Sequence, residues 1–266
     1  MQLTLSQWGM FQYDMQAGPL KTKKHVLETL GKQLKRDQPD FIVLPEMWLG
    51  GPANLKERPD WVHFYQESQK ELCQLAKAFK KNILASGLSL TKKRHTNSAF
   101  FINEKGLVIH TYHKIHLFTF GGEGKIFDLP PVRIAPFTHR GIKIAQIICY
   151  DLRFPELARS LTHLGLHILV VHAQWPEARR DHWLTLLKAR AIENQIYVVA
   201  VNRLGTKKDD IFCGDSIMVN PWGEIILSHR KNSEWEIAGM DLNFLHETRK
   251  KYPFLKERRF KKITWK

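Results

Sequence analysis

The chain has 266 residues, 43% of them hydrophobic and 25% charged, which predicts a globular protein able to bury a sizeable core. No apolar run approaches the ~20 residues that cross a bilayer, and the N-terminus lacks the features of a signal peptide, so we expect a cytoplasmic protein without a membrane segment. The formal net charge is +15. The basic residues, densest in segment 249–266, carry no zinc-finger, RRM or KH pattern, which favours solvated basic faces and attraction for an anionic substrate over nucleic-acid binding.

Hydrophobic periodicity predicts strands and helices that alternate along most of the chain. The predicted helices cover 21–36, 61–80 and 181–195, with another beginning near Pro155 and a basic helical tail at the C-terminus. The predicted strands cover 3–8, 41–44, 83–88, 97–102, 107–112, 142–148, 163–171, 197–201, 215–219, 224–227 and 236–241. Residues 205–210 are predicted as a polar loop. No linker or change of composition divides the chain, so we expect one domain over 1–266, with two similar sheets and helices packed outside each.

Cys149 lies where the apolar run 142–148 ends and a helix is about to begin. Pro155 suits the first turn of that helix, because proline lacks the N–H that would have no partner there. A side chain on such a turn projects beyond the sheet, close to free backbone N–H groups. The other cysteines are Cys73 and Cys213, and an odd number without metal-like spacing predicts neither a disulfide framework nor a zinc site. Cys149 itself fits a nucleophile or a small buried residue equally well.

Two further candidates follow apolar strands. Glu46 comes after 41–44 and before a glycine-rich loop, where it is either a charge at the end of a strand or an acid–base group. Lys114 comes after 107–112 and before a second glycine-rich loop, as an exposed cation or a site residue. Together with Cys149 they supply a thiol, a carboxylate that can act as its base, and an ammonium that can stabilise an oxyanion.

Three motifs carry these residues: Leu44-Pro45-Glu46-Met47, Tyr112-His113-Lys114-Ile115-His116-Leu117 and Cys149-Tyr150-Asp151-Leu152-Arg153-Phe154-Pro155-Glu156. In this order they resemble the motifs of the nitrilase superfamily of carbon–nitrogen hydrolases. Segments 182–194 and 214–224 are also similar to that family, so the resemblance covers nearly the whole chain. It implies an α/β fold of the nitrilase type, a four-layer α-β-β-α sandwich, and a homodimer with helices at the interface.

The resemblance also implies roles for the site residues. Glu46 would be the general base, Cys149 the nucleophile, and Lys114 the group that stabilises the oxyanion together with the backbone N–H of Tyr150. Glu123 would be an additional glutamate that positions the substrate or the base. The implied reaction is attack on an amide carbon, loss of ammonia, and hydrolysis of a thioester to a carboxylate, with no metal and no organic cofactor.

The nucleophile motif distinguishes branches of this family. True nitrilases typically carry Cys-Trp-Glu, whereas this chain has Cys-Tyr-Asp, which makes nitriles poor candidates. The motif resembles that of ω-amidases, which hydrolyse the terminal amide of 2-oxoglutaramate or 2-oxosuccinamate. Amidases acting on deaminated glutathione and N-carbamoyl amidohydrolases are alternatives. A basic binding protein without catalytic activity is a more remote alternative. The intact motif residues Glu46, Lys114 and Cys149 argue against it.

Several neighbouring residues are candidates for binding the substrate. Arg153 follows the nucleophile by four residues, and a guanidinium binds carboxylate bidentately; the alternative is a structural salt bridge, for example to Glu156. Trp175 and Phe118 are candidate pocket walls, although buried aromatic residues more often serve the core. Asp151 is predicted to cap the helix.

Overall fold

The structure is a computed structural model that describes residues 5–15, 18–50, 60–91, 94–207, 210–229 and 233–259. These residues form two six-stranded sheets and one two-stranded sheet. The first six-stranded sheet has the order β14-β1-β2-β3-β4-β5 and the second β13-β12-β9-β8-β7-β6. The strands are β1 (Leu5–Phe11), β2 (Phe41–Val43), β3 (Asn82–Thr91), β4 (Arg94–Ile102), β5 (Val108–His113), β6 (Phe137–His139), β7 (Ile142–Ile148), β8 (Ile168–Ala173), β9 (Tyr197–Asn202), β10 (Leu204–Lys207), β11 (Asp210–Cys213), β12 (Ile217–Val219), β13 (Ile225–Ser228) and β14 (Trp235–Asp241).

The two large sheets repeat one arrangement. In the first, β1, β2 and β3 are parallel, and antiparallel strands flank them on both sides. In the second, β7, β8 and β9 are parallel and are flanked in the same way. The similar two-sheet arrangement that the sequence predicts is therefore confirmed. Because the carboxyl ends of parallel strands meet at one edge of a sheet, each large sheet has an edge suited to a site.

Helices cover the outer face of each sheet. Helices α1 (Pro19–Arg36) and α2 (Asp60–Phe79) share a core with the first sheet, while α3 (Pro155–His163) and α4 (Arg180–Asn194) share one with the second. A third core lies between the sheets, where Trp8 and Phe41 of the first sheet pack in the same cluster as Ile168 and Val170 of the second. The layers are thus helix, sheet, sheet and helix. The predicted α-β-β-α sandwich is confirmed.

Strand β8 shows why the core strands are apolar throughout. Ile168 and Val170 lie in the core between the sheets, whereas Leu169 and Val171 lie in the core beneath α3 and α4. Successive side chains of a strand point to opposite faces, and here both faces are buried. An uninterrupted apolar run is the sequence pattern that results.

Three predictions about elements are wrong. The run 163–171 is not one strand, because His163 ends α3, Gly165 adopts a left-handed φ of 85°, and β8 begins only at Ile168. Segment 205–210 is not a simple loop, because its described residues 205–207 and 210 belong to the paired strands β10 and β11. Ile192, predicted on the buried face of α4, is 44% exposed.

The structure describes the two ends of the chain only in part. Strand β1 runs from Leu5, and residues 3 and 4 of the strand predicted over 3–8 lie outside the described residues. The basic C-terminus forms α5 (Leu242–Lys251) and α6 (Phe254–Glu257), and 260–266 lie outside the described residues. Among the helices that are described, none combines the length and apolarity needed to cross a bilayer.

Candidate active site

Cys149 sits on a sharp turn between β7 and α3. A 3-10 helix, Cys149–Arg153, fills this turn, and Pro155 occupies the first turn of α3. Cys149 has a φ of 46°, in the left-handed region that residues other than glycine rarely adopt. Its Sγ lies 3.8 Å from the carbonyl oxygen of Gln174. The predicted strand, turn and helix are confirmed, and Tyr150 lies in the first turn of the 3-10 helix, where N–H groups lack intrahelical acceptors.

Asp151 holds this turn in place. Its buried carboxylate accepts hydrogen bonds from the N–H of Ile148 at 3.0 Å, the hydroxyl of Tyr112 at 2.8 Å and the N–H of His116 at 3.0 Å. It caps the 3-10 helix that contains Cys149 rather than α3. The carboxylate therefore joins the loop after β5, which carries Lys114, to the turn that carries the cysteine.

Glu46 follows β2 and is only 4% exposed. Its Oε1 accepts hydrogen bonds from Asn97 Nδ2 at 2.7 Å and from Lys114 Nζ at 2.9 Å. Its Oε2 accepts one from the backbone N–H of Gln174 at 3.0 Å. Three donors thus fix the orientation of this carboxylate, one of them from the second sheet.

Lys114 lies between two carboxylates. Its side chain is 1% exposed, and its Nζ donates to Oε1 of Glu46 at 2.9 Å and to Oε1 of Glu123 at 2.8 Å. Burial acts to lower the pKa of Lys114, but the charges of Glu46, Glu123 and Cys149 outweigh it and raise that pKa above its ordinary value. The raised pKa favours a charged ammonium at neutral pH, which suits a group that stabilises negative charge and not one that exchanges protons.

Burial and the two carboxylates raise the pKa of the Cys149 thiol well above its ordinary value, although Lys114 opposes them. The resting cysteine is therefore a thiol, and it needs a base before it can attack. Burial likewise raises the pKa of Glu123, with Lys114 opposing and Glu46 adding to the effect. Glu123 is anchored by the N–H of Phe118, which donates to its Oε2 at 2.7 Å.

Glu46, Lys114, Glu123 and Cys149 all line one cavity of about 290 Å³. Its other walls are formed by Met47, Asn97, Phe118, Gly121, Ile126, Phe127, Gln174, Pro176, Arg179, Lys207, Asp210 and Phe212. The structure therefore brings together the four residues named as catalytic, with Phe118 beside them. Arg179 and Phe212, from different parts of the second half of the chain, also line this cavity.

Two candidate binding residues lie elsewhere. Neither Arg153 nor Trp175 belongs to the described cavity wall. Trp175 is 3% exposed and packs in the core of the second sheet, and the Arg153 guanidinium stacks on its ring with 4.6 Å between Cζ and the ring centroid. Among the described residues, Arg153 forms no ion pair with the alternative partner Glu156; its Nη1 instead lies 3.3 Å from Nδ1 of His182.

Sequence patterns gave no signal for Asn97, Gln174 or Arg179. Asn97 belongs to a strand predicted only from its apolar residues, and Gln174 acts through its backbone. Arg179 looked like one of many surface cations in a basic chain. For metal binding, no group of three His, Cys, Asp or Glu side chains in the described ranges is arranged to hold an ion.

Comparison with known proteins agrees with this geometry. The model of the carbon–nitrogen hydrolase family matches residues 2–250. The chain belongs to this family. It is 35% identical over 226 residues to a 2-oxoglutaramate amidase of Bacillus subtilis (strain 168), covering 80% of this chain and 83% of the relative. It is 36% identical over 222 residues to the omega-amidase YafV of Escherichia coli (strain K12), covering 80% and 82%.

Solved structures support the same fold. A carbon–nitrogen hydrolase from Helicobacter pylori G27 superposes with a TM-score of 0.89 at 25% identity, covering 96% of each chain. The resemblance of the three motifs to the nitrilase superfamily is therefore confirmed. The chain is a carbon–nitrogen hydrolase, an enzyme that acts on amides.

Proposed function

We propose that this protein is a thiol amidohydrolase that cleaves the terminal amide of a small carboxylate-bearing substrate, of the class of 2-oxoglutaramate or 2-oxosuccinamate. One observation carries the proposal: the buried Lys114 ammonium bridges two carboxylates in the same cavity as a cysteine on a strained turn. Relatives named for 2-oxoglutaramate and ω-amide hydrolysis support this substrate class.

Glu46, Lys114 and Cys149 are proposed to divide the first half of the reaction. Glu46 takes the proton from the Cys149 thiol as the sulfur attacks the amide carbon, forming a C–S bond and a tetrahedral oxyanion. Lys114 and the backbone N–H of Tyr150 stabilise that oxyanion. Glu46 then gives its proton to the amide nitrogen, the C–N bond breaks, and ammonia leaves behind a thioester.

The second half releases the acid. Glu46 removes a proton from a water molecule that attacks the thioester carbon, the C–S bond breaks, and the thiolate recovers the proton. The products are a carboxylate and the free enzyme. Glu123 is proposed to fix the position of the Lys114 ammonium, because its carboxylate accepts hydrogen bonds from both Lys114 Nζ and the N–H of Phe118.

The test is ammonia release from 2-oxoglutaramate by the full-length enzyme. Cys149→Ala should lower the rate by more than about 10⁴-fold, whereas Cys73→Ala, which changes a half-buried cysteine of α2, should retain activity. Ammonia without a free amine excludes a carbamoylase, and hydrolysis of deaminated glutathione in preference would assign that alternative. Salt-dependent retention on nucleic acid, together with inactivity towards every small amide, would instead favour a binding protein.

We further propose that the chain acts as a single domain, in the cytoplasm, and as a homodimer. The homodimer proposal draws on exposed apolar side chains beside α4: Ile192 is 44% exposed, Trp222 is 45% exposed, and a Cβ on Gly223 would touch Ile192. Light scattering should give twice the chain mass, and Ile192→Asp should shift the mass towards the monomer. Fractionation of cells would test the location.

A further inference from the structure

The residues that line the active-site cavity differ in burial and in polarity. Glu46 and Lys114 are nearly fully buried in the cavity that also contains Cys149. Phe118 and Phe212 contribute apolar surface to the same cavity. Arg179, which is partly exposed, contributes a cation. A ligand in this cavity is therefore offered polar groups, apolar surface and a cation.

The backbone of Arg179 is held rigidly. Its carbonyl oxygen accepts a hydrogen bond from Trp175 Nε1 at 2.8 Å, and its N–H donates to the carbonyl of Pro176 at 3.0 Å. Trp175 is in turn clamped by Asn202, which accepts from the Trp175 N–H at 2.7 Å and donates to its carbonyl at 3.0 Å. Arg179 is therefore presented from a fixed position and not from a loose loop.

The same segment is tied to the reacting groups. Gln174, five residues before Arg179, donates its N–H to Glu46 and places its carbonyl 3.8 Å from Cys149 Sγ. On the other wall, Phe118 donates to Glu123, and its ring lies beneath Arg179 with 5.6 Å between the guanidinium carbon and the ring centroid. These two connections set the spacing between the nucleophile and the guanidinium.

Charge distribution singles out Arg179 within the described cavity wall. Lys114 is paired with two carboxylates, Glu46 and Glu123, and the hairpin contributes one residue of each sign, Lys207 and Asp210. In the part of the chain that the structure describes, no carboxylate forms an ion pair with Arg179, whereas its neighbour Arg180 pairs with Asp215 at 2.7 Å. The guanidinium is available to an anionic ligand.

We propose that Arg179 binds the carboxylate at the far end of the substrate and that its fixed spacing from Cys149 selects short ω-amides. The inference rests on the proposed function. A guanidinium forms bidentate, charge-assisted hydrogen bonds with a carboxylate, and the apolar side chains of Phe118 and Phe212 in the cavity wall suit the methylene groups of such a substrate.

The test compares two amides of equal chain length, glutaramate and pentanamide, in which a methyl group replaces the carboxylate. Arg179→Met should lower kcat/KM for glutaramate by roughly 10- to 150-fold and change that for pentanamide by less than about 2-fold. Arg179→Lys should be intermediate, since an ammonium keeps the charge without the fork. Lys105→Met is the matched control: it removes a cation from the exposed turn at the opposite end of β4 and β5 and should affect neither substrate.

A binding measurement separates this inference from the proposed function. Calorimetry measures the affinity for glutarate of Cys149→Ala and of the double variant Cys149→Ala/Arg179→Met. The double variant should bind glutarate more weakly, by a factor similar to the loss of kcat/KM for glutaramate. An equal loss of kcat/KM on both amides, or unchanged binding of glutarate, would overturn the role of Arg179. If the wild-type enzyme hydrolyses no ω-amide, the proposed function fails, and the glutarate measurement alone still decides whether Arg179 binds carboxylates.

Discussion

The Nζ of Lys114 lies 2.9 Å from Oε1 of Glu46, and both side chains are at least 95% buried. A buried ion pair is costly to form and is stable only when further hydrogen bonds satisfy its members. Glu46 receives such bonds from Asn97 and Gln174, and Lys114 receives a second carboxylate from Glu123. Burying these charges lowers the stability of the fold but fixes their positions, and such a preorganised charge distribution is expected of a catalytic centre.

Removing the Lys114 ammonium should reveal how much its buried carboxylate partners destabilise the fold when they are left unpaired. Lys114→Met leaves Glu46 and Glu123 buried side by side without a positive partner, so we expect the free energy of unfolding to fall by about 3–5 kcal/mol and ammonia release to vanish. Urea denaturation at neutral pH measures the first effect. The double variant Lys114→Met/Glu123→Gln should regain part of the stability but none of the activity. A single variant as stable as wild type would contradict the burial argument.

Asn97 is predicted to orient the base. Its Nδ2 donates to Glu46 Oε1 at 2.7 Å, and its Oδ1 accepts from the Ser86 hydroxyl at 3.1 Å. Asn97→Leu removes a hydrogen bond to a charged group, so kcat/KM should fall roughly 10- to 150-fold. Asn97→Asp should fall further, because it adds a like charge beside Glu46. The control is Asn103→Asp, in the turn after β4, where aspartate can still accept from Lys105 and Leu107. Activity of Asn97→Leu equal to that of the control would argue against this role.

Arg153 is predicted to act on structure and not on the substrate carboxylate. It stacks on Trp175 and lies outside the described cavity wall, so Arg153→Met should leave kcat/KM for both glutaramate and pentanamide within about 2-fold of the wild-type values. We expect a loss of stability of about 0.5–1 kcal/mol, typical of an exposed cation–π contact. Steady-state kinetics with both amides measure the first and thermal unfolding the second. A loss for glutaramate as large as that of Arg179→Met, with pentanamide unaffected, would contradict this structural role.

His172 should make stability depend on pH. It is fully buried, and burial lowers its pKa to about 4, although its contact with the carbonyl of Leu44 and the charge of Glu46 oppose the shift. An unfolded histidine titrates near its ordinary value of 6.5, so between about pH 6.5 and 4 the unfolded state binds the additional proton. Above pH 6.5 the His172 ring is neutral in both states and does not lower the free energy of unfolding. As the pH falls below 6.5, protonation of the unfolded state lowers the free energy of unfolding, by about 3 kcal/mol at pH 4.

The measurement is the free energy of unfolding of the wild type and of His172→Gln at several pH values across this window. The variant should show the shallower slope, and His63→Gln, which changes an exposed histidine of α2, should keep the wild-type slope. Identical slopes in wild type and His172→Gln would show that the buried ring does not govern the acid sensitivity.

Local sequence patterns identified candidate residues that the structure brings together in one cavity, and for a physical reason. Glu46, Lys114 and Cys149 each end an apolar strand, and the end of a strand is fixed by the periodicity and turn residues of its own segment. Cys149 needed no distant information to be placed on a turn before Pro155. The hairpin of β10 and β11 was missed because its described residues 205–207 and 210 pair by backbone hydrogen bonds, which the polar composition of segment 205–210 does not reveal.

The amino-acid sequence by itself determined the family, the two-sheet sandwich and the order of the three motif residues, since all of these depend on short patterns. Only the tertiary structure decided which arginine lines the cavity. No sequence pattern relates Arg153 to Arg179, yet both contact Trp175. The guanidinium of Arg153 stacks on the Trp175 ring, and the carbonyl of Arg179 accepts a hydrogen bond from the Trp175 indole N–H. Their different surroundings depend on how the two sheets and the loop after β8 pack together, which is a property of the whole fold.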